Sequence, residues 1–235
     1  MLLFYIRHGE PVYEPDSLTP LGEKQAEALS KRLAKYGLDE IYASVSNRAM
    51  LTAIPTAKLL NKPVIPLEWC DERLAWLEFS VEKVFGDKPA WVYQIEEFRN
   101  AFVSDEVLKR GRDWCTGKFS RFKDGINRIS RETYKFLEEL GYEYDFAGNC
   151  YKAVRPNEKK IALFAHEGFG MAFLSALTGV PYPLFCTHFG LEHSSMTVIR
   201  FDGNDNVIPC VLQLSNDSHL YKEGLPTNYN GEIYF

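Results

Sequence analysis

Met1-Leu2-Leu3-Phe4-Tyr5-Ile6-Arg7-His8-Gly9-Glu10 is the stretch on which the fold turns. Five apolar residues, Leu2 to Ile6, run without alternation and stop at Arg-His-Gly, which reads as a strand buried on both faces. Ile161 to Ala165 repeats the pattern and stops at His166-Glu167-Gly168. Between and after them, strand and helix signals alternate. Thr19 is an N-cap followed by Pro20, and Ala26, Leu29, Leu33 and Tyr36 form one helical face closed by Gly37. Glu40 to Ser44 reads as a strand. A helix capped by Ser46 or Asn47 runs to Leu60 with a bend at Pro55, and Val64 to Leu67 reads as a third strand.

The remainder is less regular. Residues 79 to 118 are rich in aromatics (Trp91, Tyr93, Phe98, Phe102, Trp114) and carry Arg99, Lys109, Arg110, Arg112 and Lys118. A helix is expected over Phe119 to Leu140, irregular chain over Tyr142 to Lys160, and a helix over Phe169 to Thr178. A hairpin is expected to join Thr197–Phe201 to Val207–Leu212 through Asp202-Gly203-Asn204-Asp205. The pattern predicts an α/β fold, a three-layer α/β/α sandwich with a mainly parallel central sheet. It is read as a single domain over 1–235, with a helical insertion at about 79–155 forming a lid over the sheet's carboxyl edge, where ligands bind in such folds.

Composition narrows the function. In 235 residues, 46 % are apolar and 25 % charged, as in an ordinary globular chain. No apolar run is long enough to span a bilayer, and no cleavage site follows Met1 to Ile6, so no membrane and no export signal are expected. A formal charge of −5 without a basic block argues against nucleic acid partners. Five cysteines, at 70, 115, 150, 186 and 210, form no CxxC pair and fit idle thiols in a reducing cytoplasm.

The chemistry-bearing residues lie at the strand ends. His8 and His166 emerge at one edge if their strands are central and parallel, each with a glycine within two residues. Arg7 adjoins His8, and Arg48 opens the second helix, where a guanidinium fork and free amides suit phosphate oxygens. The bland alternative for each residue alone is a structural histidine or a solvated arginine.

These residues resemble the histidine phosphatase (phosphoglycerate mutase-like) superfamily. Arg7-His8-Gly9-Glu10 is similar to its signature, and Leu18-Thr19-Pro20-Leu21-Gly22 to its next segment. Ser44-Val45-Ser46-Asn47-Arg48-Ala49-Met50-Leu51-Thr52-Ala53 resembles S-x-x-x-R-A-x-x-T-A, and Phe164-Ala165-His166-Glu167-Gly168 its second histidine motif, all in family order. The resemblance implies that His8 is the nucleophile and forms a phosphohistidine. Arg7, Arg48 and His166 would hold the phosphoryl oxygens, with Thr19 and Gly168 beside the substrate. It also implies a carboxylic acid after the third strand. Among Glu68, Asp71, Glu72 and Glu78, Leu77-Glu78-Phe79-Ser80 fits best, and Glu72 is held in reserve.

The chain departs from the family in three places. No acid followed by Arg-His-Tyr-Gly is present, and the Glu10 to Leu18 segment is short, which favours phosphatase over mutase. Glu167 stands where many members have glycine. It must turn from the phosphate or pair with a cation. His188, His193 and His219 read as loop histidines, with His219 a candidate for the pocket border. Gly170 stands where a zinc motif needs histidine, and Phe173 where a dinucleotide fingerprint needs glycine. Arg99, Arg110, Arg112 and Arg121 are candidates to read a second anionic group.

The expectation is thus a cytoplasmic, metal-independent phosphatase acting on a small phosphorylated metabolite through His8, with no cofactor. A phosphoglycerate mutase and a non-catalytic phospholigand-binding module are the alternatives.

Overall fold

Leu3, Phe4, Tyr5 and Ile6 are wholly or almost wholly buried in the computed structural model, which describes residues 1–82 and 88–227. Their strand, β1 (Leu2–Arg7), is followed by a short hairpin, β2 (Pro11–Val12) and β3 (Ser17–Leu18), then α1 (Pro20–Tyr36), β4 (Glu40–Ser44), α2 (Asn47–Leu60) and β5 (Val64–Leu67). Next come α3 (Glu72–Phe79), the two-residue strands β6 (Ser80–Val81) and β7 (Ala90–Trp91), α4 (Glu96–Phe102), α5 (Asp105–Arg110) and α6 (Lys123–Glu139). A hairpin of β8 (Tyr142–Asp145) and β9 (Cys150–Ala153) leads to β10 (Lys160–Ala165), α7 (Glu167–Thr178) and α8 (Tyr182–His188). The described chain closes with β11 (Met196–Arg200), β12 (Cys210–Asn216) and α9 (Ser218–Lys222).

Six strands form one sheet in the order β12-β11-β1-β10-β4-β5. β1, β10, β4 and β5 are parallel, and at one side β11 runs antiparallel both to β1 and to the edge strand β12. Alternate residues of the central strands serve opposite layers, because side chains in a strand alternate between faces. Phe4, Ile6, Ala162 and Phe164 pack with Leu29 and Leu33 of α1 and Ala53 and Ala57 of α2. Leu3, Tyr5, Ile161, Leu163 and Ala165 pack with Phe169 and Phe173 of α7 and Phe136 and Leu137 of α6. The α/β expectation with a mainly parallel sheet is met.

Three local expectations are corrected. Tyr142 to Lys160 is not irregular throughout. Its first part is the β8–β9 hairpin, whose aromatics supply apolar contacts: the Tyr134 and Tyr144 rings stack at 4.0 Å, and Tyr142 packs on Phe201. Val207 does not begin the last strand. It pairs with Tyr151, exchanging N–H···O bonds of 2.7 and 2.8 Å, and is buried there, so the strand starts at Cys210. The helix expected from Phe119 starts at Lys123, after a 3₁₀ segment, Gly117–Phe122.

The aromatics of the 79–118 stretch divide. Phe102, Trp114, Phe119 and Phe122 build a cluster with Phe79 and Tyr182, ring against ring. They are core residues of that layer. Trp91 alone of those named from the sequence reaches the wall of the cavity described below.

Two glycines let the chain turn sharply after β1. A Cβ on Gly9 would lie 2.7 Å from the Gly22 carbonyl oxygen, and one on Gly22 would lie 2.2 Å from the Glu10 carbonyl oxygen. The loop leaving β1 therefore rests directly on the first turn of α1, a contact that no side chain at either position permits.

Candidate active site

Parallel pairing of β1 with β10 sets Arg7 opposite Ala165, and the His8 N–H donates to the Ala165 carbonyl at 3.0 Å. His8 and His166 therefore leave the sheet side by side, with ring centroids 5.2 Å apart. Both are buried. The His8 Nδ1 lies 2.7 Å from the Gly9 carbonyl oxygen. A carbonyl only accepts, so Nδ1 carries the proton and Nε2 keeps its lone pair. The Arg48 Nε–H donates to that Nε2 at 3.3 Å.

Arg48 stands in the first turn of α2. Asp16 holds it there, accepting from Arg48 at 2.8 Å and from the Asn47 N–H at 2.7 Å. Ser46, the N-cap, makes no capping bond of its own, so Asp16 closes the helix end from outside. One turn on, Thr52 accepts the Gly9 N–H at 3.0 Å and donates to the Arg48 carbonyl at 2.8 Å, tying the histidine loop to α2. The His166 Nε2 faces two hydroxyls, Ser44 at 2.9 Å and Ser46 at 3.3 Å. Arg7 bonds the Leu191 carbonyl, His193 at 2.8 Å and the Glu167 carboxylate at 3.1 Å. Glu167 thus takes the second course open to it, pairing with a cation.

Burial, above all, and then the neighbouring cations hold the His8 and His166 imidazoles well below the ordinary histidine range. Both are neutral near pH 7. His193, pushed down to about 3 by burial and then by Arg7, is a neutral acceptor.

The carboxylates divide sharply. Glu72 opens α3, and its two oxygens accept the Gly168 and Phe169 N–H groups at 3.0 and 2.9 Å, within the first turn of α7. Burial raises it to about 7, outweighing the pull of those amides and of Arg48 and Arg7. Glu78 is six residues further along the same helix, roughly 240° around it. It points away from the histidines and bonds Arg128 through both oxygens at 2.6 Å. The structure brings Glu72, not Glu78, to the histidine pair. Asp71 caps α3 and grips the Arg73 side chain, and Glu68 is exposed.

Arg7, His8, Arg48, Glu72 and Glu167 line one cavity of about 1080 Å³. Thr19 does not line it: its hydroxyl caps α1 at Gly22 and donates to Glu10. Gly168 serves through its amide, which Glu72 occupies. Arg110, Arg112 and Arg121 are engaged elsewhere, with Glu106, Tyr144 and the Ser80 carbonyl. His219 bonds Ser194 and lines a separate pocket beside Lys35 and Lys222. His188 and Arg99 do not line the active cavity. Sequence reading treated His193 as an idle loop residue, yet its ring centroid is 5.7 Å from that of His8. The usable signal was β11: an antiparallel neighbour of β1 must begin at the edge where β1 ends. Among the described residues, no three His, Cys, Asp or Glu side chains cluster as metal ligands, and no helix is long and apolar enough to cross a membrane.

Residues 3–98 match the family model of the histidine phosphatase superfamily (branch 1). Phosphoserine phosphatase 1 of Hydrogenobacter thermophilus is 26% identical over 230 residues, covering 93% of each chain. The putative phosphoserine phosphatase 2 of the same organism is 21% identical over 231 residues, covering 93% of this chain and 98% of that protein. Phosphoserine phosphatase of Entamoeba histolytica superposes with a TM-score of 0.59 at 21% identity, over 93% of this chain and 98% of that one. A mycobacterial glucosyl-3-phosphoglycerate phosphatase gives 0.57 at 18%, over 90% and 97%. With the ordered motifs and the paired strand-end histidines, these likenesses make the chain similar to the histidine phosphatase superfamily over residues 3–98 and to phosphatases of that fold over most of its length.

Two substitutions test how the site is built. Arg48→Ala removes the donor at His8 Nε2 and is expected to lower kcat/KM on any phosphomonoester by about 10²–10³-fold. A loss below threefold in steady-state assays would show that Arg48 does not contact the phosphoryl group. In Gly168→Ala, the new Cβ would lie 2.3 Å from the Trp91 ring, which is itself wedged against Trp76 and Tyr93. The overpacking is expected to cost about 1–3 kcal/mol of stability in urea unfolding.

Proposed function

We propose that this protein is a phosphoric monoester hydrolase that works through a phosphohistidine on His8 and needs no metal. The observation that carries the reading is the convergence of His8, Arg7, Arg48 and Glu72 on one cavity, with the buried His166 ring packed beside His8. The neutral His8 Nε2 attacks phosphorus in line. Arg7, Arg48 and His166 take the equatorial oxygens and stabilise their charge, the main requirement of phosphoryl transfer. Arg7 exchanges its contact with Glu167 for the phosphoryl group. Glu72, protonated, gives its proton to the leaving alkoxide. As carboxylate it then takes one from the water that attacks the phosphohistidine, which regenerates His8 and releases inorganic phosphate.

The substrate is a small phosphorylated compound, and the site of action is the cytoplasm. We read the 79–155 stretch as an insertion within one domain that covers the site, with Trp91 and Gln94 on the cavity wall in support.

The test is release of phosphate from 4-nitrophenyl phosphate in excess EDTA. Full activity is expected. Activity lost on chelation and restored by a divalent cation would overturn the metal-free mechanism. Interconversion of 2- and 3-phosphoglycerate faster than hydrolysis would make the protein a mutase. Tight phosphate binding without turnover would make it a binding module.

A further inference from the structure

We propose that the phosphomonoester bound here has a bulky apolar or aromatic leaving group with no second negative charge. The inference rests on the phosphatase reading above and concerns the part of the cavity beyond the phosphoryl group.

Three observations carry it. The first is size. A cavity of about 1080 Å³ lies just above the range, roughly 300–1,000 Å³, typical of sites for drug-sized ligands. A phosphorylated three-carbon acid would leave most of it to water.

The second is the wall. Tyr13 and Leu77 are 69% and 77% exposed, and both line this cavity with Trp76 and Trp91. The two tryptophan rings meet edge to face at 4.9 Å, and Trp91 stacks on Tyr93 at 5.8 Å. Trp91 also closes against Gly168, so the wall is built before any ligand arrives. Exposed apolar side chains gathered on a rigid aromatic surface mark a place where apolar ligand surface is buried.

The third is charge. Among the described residues, three arginines line the cavity. Arg7 pairs with Glu167 and Arg48 with Asp16, both at the phosphoryl end. Arg73, the remaining one, gives two side-chain hydrogen bonds to Asp71. Glu14 and Asp71 also line the cavity. A carboxylate on the leaving group, such as phosphoserine and phosphoglycerate carry, would face these acids, with Arg73 already paired to Asp71. Like charges brought together in a partly desolvated cleft oppose binding. The phosphoryl group, by contrast, meets Arg7, Arg48 and two histidines.

The experiment measures kcat/KM in EDTA for four alkyl phosphates: 3-phenylpropyl phosphate, n-propyl phosphate, phosphoserine and 3-phosphoglycerate. The first two release primary alkanols of similar acidity, so their difference reports the wall and not the bond broken. The phenylpropyl ester is expected to exceed the propyl ester by about tenfold or more, the scale of selectivity an apolar pocket supplies. It is also expected to exceed both carboxylate-bearing substrates. Trp76→Ala and, on the exposed rim, Leu77→Ser are each expected to narrow the phenylpropyl-to-propyl ratio through KM. Equal rates for the phenylpropyl and propyl esters, or a preference for phosphoserine or 3-phosphoglycerate, would overturn this inference and leave the phosphatase reading standing. Turnover of none of the four and of no aryl phosphate would overturn both.

Discussion

Replacing His8 with alanine is expected to abolish turnover, lowering kcat by about 10⁴-fold or more, as loss of a covalent nucleophile does in other enzymes. Rapid acid-free quenching of the wild-type protein with labelled substrate is expected to trap a phosphoprotein that is stable in alkali and lost in acid. His8→Ala is expected to trap none. The physical ground is the tautomer: the Gly9 carbonyl holds the proton on Nδ1, so Nε2 presents a lone pair towards the Arg48 side, where a phosphoryl group is to bind. Because burial and nearby cations depress its pKa, the imidazole stays unprotonated well into the acid range. The variant should keep its affinity for phosphate or vanadate, since Arg7, Arg48 and His166 remain. Persistent labelling of His8→Ala would move the nucleophile to another residue.

Glu72→Gln is the second large effect, and it should depend on the leaving group. An alkoxide needs a proton as it departs, whereas 4-nitrophenolate does not. The expected loss in kcat is about 10²–10⁴-fold for alkyl phosphates, and much less for the first half of the reaction with aryl phosphates. The pH dependence has a definite sign. Burial raises the Glu72 pKa to about 7, so the acid form dominates below that pH. Wild-type kcat/KM on alkyl phosphates should therefore be high on the acid side of neutrality and fall as pH rises through about 7. In Glu72→Gln, this alkaline limb should vanish. Glu78→Gln is the control: it breaks the ion pair with Arg128, so it should lower stability and leave the leaving-group dependence unchanged. A leaving-group effect in Glu78→Gln, and none in Glu72→Gln, would exchange their roles.

The difference between these two glutamates shows how far the sequence could be read. His8, His166, Arg7 and Arg48 were legible because each sits at the end of a strand or the start of a helix, positions marked by apolar runs and capping residues. Parallel pairing then fixes where they meet. Glu72 and Glu78 share one short helix, and which one faces the histidines depends on the rotation of α3 against α7. Only packing sets that rotation: Asp71 starts the helix, and the first amides of α7 receive Glu72. His193 was missed for a related reason, since its place depends on β11 pairing with β1 from the far side of the chain. Likewise, Val207 looks like a strand residue but makes only an isolated bridge, and its partner Tyr151 belongs to a hairpin whose polar and aromatic residues carry no strand period.

The pairing of β1 with β10 has a consequence for how proteins of this architecture diversify. The spacing between the two imidazoles is written into hydrogen bonds between neighbouring backbones, in the most deeply buried part of the molecule. Tyr13, Leu77 and Trp91, by contrast, come from three separate segments at the rim, none of them in those two strands. Substitutions at the rim can therefore alter what the cavity admits while the spacing of the imidazole pair stays fixed by the backbone.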